Sequence, residues 1–195
     1  EEPGWPVYKI KLGTREDVQI VQALRQDTEV LFRVDANCGW KGDEAVALSC
    51  ELSRQGVEFI EQPLDRDLDQ VQERLFKDSA LPLIADESCV AETDVLSCVD
   101  RFHGVNIKLS KCGGLTPARR MITAARDNGL KVMVGCMTES SVGISAAAQL
   151  APLIDYADLD GAVLLAQDTA RGVEVDRGVL VFPDLPGCGI HDFKG

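Results

Sequence analysis

Short apolar runs alternate along this chain with longer stretches in which apolar residues recur at helical spacing. The runs predict strands at residues 7–12, 30–35, 57–61, 83–86, 105–109, 130–135 and 156–160. The intervening stretches predict helices at residues 14–26, 43–55, 68–76, 92–99, 116–128 and 140–150. Thr14 is a predicted helix N-cap, and Gly56 and Gly129 follow the predicted ends of two helices.

This alternation predicts an α/β fold, because strands separated by helices form a parallel sheet with the helices outside. The number and length of the units favour a TIM-like (β/α) barrel over an open doubly wound sheet. No Gly-x-Gly-x-x-Gly sequence opens a helix, and no P-loop is present. The two common nucleotide-binding fingerprints are therefore missing.

Composition narrows the class of protein. The chain has 195 residues, which suits one domain or part of a larger one, and 45% of them are hydrophobic. No apolar stretch approaches the ~20 residues of a membrane span, and no signal-peptide pattern opens the chain. The net charge of -12 argues against nucleic acid or an anionic membrane as a partner. Seven cysteines without a Cys-x-x-Cys pair indicate reduced thiols in a cytoplasm.

Three acidic residues, Asp35, Glu61 and Asp86, each end one of the apolar runs, about one β/α unit apart. Because the carboxyl ends of barrel strands meet on one face, we expect these carboxylates to converge. Converging carboxylates repel one another unless a cation neutralises them. Oxygen-only ligands favour Mg²⁺ or Mn²⁺ over zinc, so the spacing predicts a divalent-metal site.

Lysines form the second chemical group at the strand ends. Lys9 and Lys11 lie on one side of the first predicted strand, because side chains alternate. Each is expected to lower the pKa of the other, and a lysine tuned in this way can act as a general base. A solvated pair on an edge strand is the alternative. Lys108 favours the catalytic interpretation, because it could face Lys11 across a closed barrel, whereas Lys111 is interpreted as a loop cation.

Further polar residues are predicted to border the same site. Asp158 and Asp160 share one side at the end of the last predicted strand, where a carboxylate pair would suit a substrate ammonium group. A helix N-cap with a solvent-facing aspartate is the alternative. Asn37 is placed to bind a ligand carboxylate or a metal ligand. Met137 and Glu139 follow the sixth predicted strand and are expected to border the substrate.

Neither histidine lies at the carboxyl end of a predicted strand. His103 precedes a strand, and His191 lies in the tail of the chain. A histidine general base, Ser-His-Asp chemistry and Cys-His chemistry are therefore not expected. The lysines remain as the candidate proton-transfer groups.

Taken together and in this order, the residues resemble the enolase superfamily, in its muconate-lactonising-enzyme subgroup. The resemblance extends from Lys9 to about Ile190. The sequence Lys9-Ile10-Lys11 is similar to the Lys-x-Lys motif of the family's second barrel strand, and the resemblance makes Lys11 an acid/base and Lys9 its catalytic neighbour. Lys108 matches the opposing acid/base of the sixth strand.

The acidic residues carry the same resemblance. Asp35, Glu61 and Asp86 match the metal ligands of the family's third to fifth strands. The sequence Asp158-Leu159-Asp160 resembles the Asp-x-Asp motif with which dipeptide epimerases hold the α-ammonium group of the substrate. Dipeptide epimerases of the L-Ala-D/L-Glu type are therefore the group that this sequence resembles most.

The resemblance implies a (β/α)7β barrel, Mg²⁺ (or Mn²⁺) as cofactor and a small-molecule dipeptide as substrate. A Lys or His base with Mg²⁺ that stabilises an enediolate is the known pattern of this superfamily. The implied activity is epimerisation at the α-carbon of the dipeptide's C-terminal residue by two-lysine 1,1-proton transfer. Alternatives are o-succinylbenzoate synthase or N-acylamino acid racemase, a cycloisomerase, and a non-catalytic barrel fragment.

Two parts of the family's architecture have no counterpart in this sequence: an N-terminal capping domain and the first barrel strand. We therefore expect residues 1–195 to form a partial C-terminal barrel domain, with the tail 178–195 returning toward the capping domain. A homo-oligomer is compatible with the sequence.

Overall fold

A computed structural model describes residues 4–193, apart from the side chain of Asp69. The main sheet contains β1 (Val7–Lys11), β2 (Leu31–Asp35), β3 (Val57–Glu61), β4 (Leu83–Ala85), β5 (Gly104–Lys108), β6 (Lys131–Gly135) and β7 (Tyr156–Asp158). The helices are α1 (Asp17–Arg25), α2 (Gly42–Arg54), α3 (Asp69–Asp78), α4 (Leu109–Cys112), α5 (Leu115–Asp127) and α6 (Ser141–Ala148). In the described part of the chain, no helix has the length and apolar character needed to cross a membrane.

The seven strands form one parallel sheet in which their order follows the sequence. The predicted parallel α/β architecture is therefore confirmed. Its register places chemically distinct residues side by side at the carboxyl ends. Lys11 pairs with Asp35, and Asp35 with Glu61. At the other side of the sheet, Lys108 pairs with Gly135, and Gly135 with Asp158.

The sheet curls far enough for side chains of its two edge strands to touch. β1 and β7 are the edges of the hydrogen-bonded ladder, yet Nζ of Lys9 lies 2.9 Å from Oδ2 of Asp158. This ion pair joins the first strand to the last across the opening between them. Residues that point to the concave side of the sheet therefore converge.

Side-chain alternation divides the strands into an outer apolar face and an inner polar face. On β2, Phe32 and Val34 are buried in the cluster that also contains Leu52 and Met121 of the helices. The inner face of the same strand carries Asp35 at its carboxyl end. The main hydrophobic core therefore lies between sheet and helices, and charged groups occupy the carboxyl-terminal end of the concave face.

The amino-terminal end of the concave face is closed by aromatic residues and one arginine. Phe59 and Tyr156 pack with their ring centroids 4.9 Å apart. The guanidinium of Arg33 lies over both rings and is paired with Glu58 at 2.7 Å. Ile84 and Met133 complete this buried cluster. The concave face is thus filled at one end, and the charged residues lie at the other.

Two predicted helix boundaries differ from the structure. Helix α1 begins at Asp17 rather than next to an N-cap at Thr14. The carboxylate of Asp17 accepts hydrogen bonds from the backbone N–H groups of Gly13 and Thr14, so it ties down the preceding loop instead. Residues 92–99 form two 3₁₀ turns, Glu92–Asp94 and Leu96–Cys98, rather than one helix.

The end of the chain also departs from the predicted elements. Strand β7 ends at Asp158, so Asp160 lies beyond it. The tail forms a hairpin of β8 (Glu174–Asp176) and β9 (Val179–Val181), whose turn at Gly178 lies against Pro6. The hairpin therefore packs beside the start of β1. A return of the tail toward a capping domain stays a prediction.

Two glycines bring the loops after β1 and β2 into contact. A Cβ at Gly39 would lie 2.5 Å from Cα of Gly13, and a Cβ at Gly13 would lie 2.5 Å from the carbonyl oxygen of Ala36. Gly13 also has a φ of 98°, which other residues rarely adopt. The indole N–H of Trp40 donates to Asp17 at 2.7 Å, and both side chains are buried. This contact fixes the loops that follow Lys11 and Asp35.

We expect Trp40→Phe to destabilise the protein by about 1–3 kcal/mol, because it removes a buried hydrogen-bond donor from the Asp17 carboxylate. Urea unfolding of the complete protein measures the change. Leu96→Ala, at an exposed position, is the control and should alter the free energy of unfolding by no more than about 0.5 kcal/mol. Equal stability of Trp40→Phe and the wild type would show that this contact does not hold the loops.

Candidate active site

Three buried carboxylates form the base of the site. Asp35 ends β2, Glu61 ends β3, and Asp86 directly follows β4. Their exposed fractions are 0%, 0% and 1%. Adjacent parallel strands bring their carboxyl ends to one rim, so the predicted placement of the three residues on one side of the sheet is observed.

Lys9 lies at the centre of the carboxylates. Its Nζ is 3.1 Å from Oδ2 of Asp35, 2.8 Å from Oε2 of Glu61 and 2.9 Å from Oδ2 of Asp158. Burial by itself lowers the pKa of Lys9, but the charges of Glu61, Asp158 and Asp35 outweigh burial and raise this pKa well above its usual value. The predicted lowering of the pKa is therefore wrong for Lys9, because three carboxylates surround it.

Lys11 reaches the same group of residues from the more exposed end of β1. Its Nζ donates to Oδ2 of Asp35 at 2.7 Å and to Oδ1 of Asn37 at 2.9 Å, while 61% of its side chain is exposed. The backbone N–H of Asn37 donates to the other oxygen of Asp35. Asn37 therefore links Lys11 to Asp35, and the two lysines share one carboxylate oxygen.

Lys108 and Lys111 neutralise Asp86 from the far side of the site. Nζ of Lys108 lies 2.8 Å from one oxygen of Asp86, and Nζ of Lys111 lies 2.7 Å from the other. The interpretation of Lys111 as a loop cation is wrong, because Lys111 lies in helix α4 and pairs with Asp86. Burial lowers the pKa of Lys108, but its hydrogen bond and attraction to Asp86 prevail and raise it.

The buried carboxylates respond differently to this environment. Burial tends to raise the pKa of Asp35, but Lys9 and Lys11 outweigh it and hold the pKa below its usual value. At Glu61 burial prevails over the attraction of Lys9, and the pKa is raised. Within residues 4–193, no three acidic, His or Cys side chains are arranged closely enough to hold a metal ion. Lysine ammonium groups provide the positive charge beside each carboxylate instead.

Asp158 and Asp160 border the site at the end of β7. Asp158 lies on the inner face of the sheet, where it is paired with Lys9. The loss of some solvent around Asp160, together with the charge of Asp158, raises the pKa of Asp160 although its side chain is exposed. Two neighbouring carboxylates of this kind attract a cation.

Two buried amides position the carboxylates and were missed at the sequence level. Oε1 of Gln62 accepts the backbone N–H groups of Asp86 and Ser88, so it fixes the loop after β4. Nδ2 of Asn106 donates to Oε1 of Glu61 at 2.8 Å. Strand alternation could have revealed Asn106, because it lies two residues before Lys108 on the same face.

The remaining candidates lie around or away from this group. The backbone N–H of Met137 donates to Oε1 of Glu139 in the loop after β6, and the Met137 side chain is half exposed. His103 precedes β5 at the opposite end of the sheet, where its Nδ1 accepts the N–H of Leu83. His191 pairs with Arg171 in the tail. The two histidines therefore lie outside the site, in agreement with the prediction.

Comparisons with known proteins identify the family of this chain. The family model described as enolase C-terminal domain-like matches residues 1–191. An L-Ala-D/L-amino acid epimerase from Flavobacterium johnsoniae is 56% identical over 190 residues, which cover 97% of this chain and 56% of that protein. The chain thus spans about half the length of the curated relatives it matches.

Solved structures share the fold. A dipeptide epimerase from Cytophaga hutchinsonii, complexed with Mg and D-Ala-L-Val, has a TM-score of 0.91 and 29% identity, and the match covers 98% of this chain and 55% of that one. An N-succinyl Arg/Lys racemase from Bacillus cereus also has a TM-score of 0.91, with 30% identity over 98% of this chain and 54% of that one. The family predicted from the lysines and carboxylates is confirmed: the chain belongs to the enolase C-terminal domain-like family.

Proposed function

We propose that this chain supplies the proton-transfer site of a Mg²⁺-dependent dipeptide epimerase. The observation that carries the proposal is the position of Lys11 and Lys108 on opposite sides of a group of buried carboxylates. The 56% identity to a protein named L-Ala-D/L-amino acid epimerase supports a dipeptide that begins with L-Ala as the substrate. The rest of the barrel and a capping domain would be supplied by the complete protein.

The chemistry of the donor set fits Mg²⁺, although in the structure the three carboxylates are paired with lysines and their oxygens do not converge on one point. Asp35, Glu61 and Asp86 offer only oxygen atoms, which this ion prefers, and all three are buried. Oε2 of Glu61 lies 2.8 Å from Nζ of Lys9, and no other group among the described residues donates to it. These three carboxylates would hold the ion. When bound, it would neutralise the substrate carboxylate and the negative charge that develops there.

The lysines would move the proton. An ammonium group cannot act as a base, so the lysine on the face of the α-hydrogen must enter the reaction neutral and the opposing lysine protonated. The first takes the α-proton, and the electron pair of the broken C–H bond moves into the substrate carboxylate to give an enediolate. The second then donates a proton to the opposite face of the α-carbon. The configuration inverts, and the roles of Lys11 and Lys108 exchange for the reverse reaction.

Lys9 has a different proposed role from the two proton-transfer lysines. Its contacts with Asp35, Glu61 and Asp158 hold the ends of β2, β3 and β7 around one positive charge. The pKa values of Lys9 and Lys108 are both raised by carboxylates that would hold the ion, but Lys9 is also paired with Asp158, which would not hold it. Lys9 therefore stabilises the negatively charged site rather than abstracting the proton.

The acidic pair at the end of β7 distinguishes dipeptides from N-acylated substrates. Asp158 and Asp160 would bind the free α-ammonium group of a dipeptide, with Asn37, Met137 and Glu139 around the remainder of the substrate. An N-succinyl amino acid has no such cation and carries a carboxylate that the pair would repel. The fold does not separate the two classes, because both structural relatives described above have the same TM-score.

We expect Lys108→Ala to slow epimerisation of L-Ala-L-Glu and other L-Ala dipeptides by about 10²–10⁴-fold, because it removes one proton-transfer group. Chiral chromatography of the products formed by the complete protein in Mg²⁺ measures the rate, and chelation with EDTA should abolish it. Lys131→Ala removes an exposed lysine at the opposite end of the sheet and serves as the matched control. If the wild type inverts no dipeptide in Mg²⁺, the proposal fails.

Asp160→Asn is expected to raise KM for dipeptides with a free amino group by about tenfold or more, which corresponds to about 1.4 kcal/mol. The neutral amide cannot attract the substrate ammonium group as strongly. Steady-state kinetics should show little change for the N-acetylated dipeptide, on which the wild type is already weak. Asp127→Asn, on the exposed side of α5, is the control. An equal effect on free and N-acetylated substrates would contradict recognition of the amino group.

A further inference from the structure

Asn106 is a buried polar residue to which the proposed proton transfer assigns no role. It lies in the middle of β5 with an exposed fraction of 0%. Its side chain extends across the concave face past β4, where Nδ2 donates a hydrogen bond to Oε1 of Glu61 at 2.8 Å. Burying a polar side chain costs free energy unless it is hydrogen-bonded. A buried amide at this position therefore indicates a specific requirement for a hydrogen-bond donor to Glu61.

Because of this hydrogen bond, the two oxygens of Glu61 have different partners. Oε1 is fixed by Asn106, whereas Oε2 contacts Nζ of Lys9 at 2.8 Å and no other donor among the described residues. A carboxylate held at one oxygen cannot rotate freely about its last bond. The other oxygen is thereby kept facing the centre of the site.

The neighbouring strand is shaped to leave room for this amide. A Cβ at Gly135 would lie 2.6 Å from Oδ1 and 2.8 Å from Nδ2 of Asn106, closer than nonbonded atoms approach. Gly135 has an ordinary backbone conformation, since it is absent from the residues with positive φ. Glycine is therefore needed at this position to leave space for Asn106, and not because the backbone makes a turn.

Other side chains would not replace the amide. An aspartate would place a second carboxylate against Glu61, where the like charges repel. A leucine has the same branched shape but is larger, and it would leave Oε1 of Glu61 buried without its donor, which costs about 1–3 kcal/mol. Asparagine supplies a donor without adding charge to a site that already contains three carboxylates.

We propose that Asn106 is a positioning residue for the metal site: it orients Glu61 so that Oε2 is available to Mg²⁺, and Gly135 provides the space that this requires. The inference rests on the proposed function, because it assigns Glu61 to the metal. Partners that orient metal ligands typically contribute about 10–100-fold to metal affinity. Asn106 also precedes Lys108 by two residues on the same face, so one strand serves both the metal ligand and the proton-transfer group.

The test is isothermal titration of MgCl₂ into the complete protein without substrate. We expect Asn106→Leu and Gly135→Ala each to weaken Mg²⁺ binding by about 10–100-fold. The first removes the donor and keeps the branching of the side chain, and the second places a methyl group of the neighbouring strand against the amide. Asn128→Leu is the matched control, because the Asn128 amide donates to Ala124 at the exposed end of α5. Its Mg²⁺ affinity should equal that of the wild type.

Kinetics separate positioning from a purely structural role. With a positioning role, the kcat of Asn106→Leu returns toward the wild-type value at saturating Mg²⁺, and the defect appears in the Mg²⁺ concentration needed for half-maximal rate. If Asn106→Leu does not fold, Gly135→Ala decides the question. Mg²⁺ affinity within twofold of the wild type in a folded variant would overturn the inference.

Failure of the proposed function gives a different result. If the wild type binds Mg²⁺, both variants weaken it and no dipeptide is inverted, the role of Asn106 stands and the epimerase proposal falls. If the wild type binds no Mg²⁺, both are overturned.

Discussion

Buried negative charge at the carboxyl ends of β2, β3 and β4 is the constraint on which this end of the molecule depends. Removing an ion from water costs on the order of several kcal/mol, and this cost is recovered only with a close, well-oriented partner. Asp35, Glu61 and Asp86 meet that requirement through Lys9, Lys11, Lys108 and Lys111, which come from β1, β5 and α4. Charge pairing therefore links both sides of the sheet, and the Lys9–Asp158 pair joins its two edges.

The same pairing prepares the site for the proposed chemistry. Lysines that neutralise carboxylates already lie where a substrate carboxylate and a divalent cation would meet. Lys11 is more than half exposed and Lys108 is largely buried, so they approach this point from different environments. Lys9 contacts three acidic side chains and keeps the negatively charged site together. In the proposed function, Lys9 is the stabilising group, and Lys11 and Lys108 are the proton-transfer groups.

Strand alternation and the parallel order of β/α units predicted much of this arrangement. They placed Asp35, Glu61 and Asp86 at one rim, with Lys9 and Lys108 on the same face, because strand direction determines where side chains point. The pKa of Lys9 was predicted in the wrong direction, since the sequence does not show how many carboxylates surround one ammonium group. Contacts of Lys111 with Asp86 and of Asn106 with Glu61 depend on the curl of the sheet, which local patterning does not specify. The start of α1 was misplaced because the carboxylate of Asp17 binds the loop rather than the helix end.

The central claim is that two lysines act on opposite faces of one α-carbon. Its most direct test is α-proton exchange in D₂O, followed by ¹H NMR separately for each epimer of an L-Ala dipeptide in Mg²⁺. We expect Lys11→Ala and Lys108→Ala both to stop interconversion. Each variant should still exchange the α-proton of one epimer, and the two variants should act on opposite epimers. Exchange of the same epimer by both variants, or interconversion by either at the wild-type rate, would contradict it.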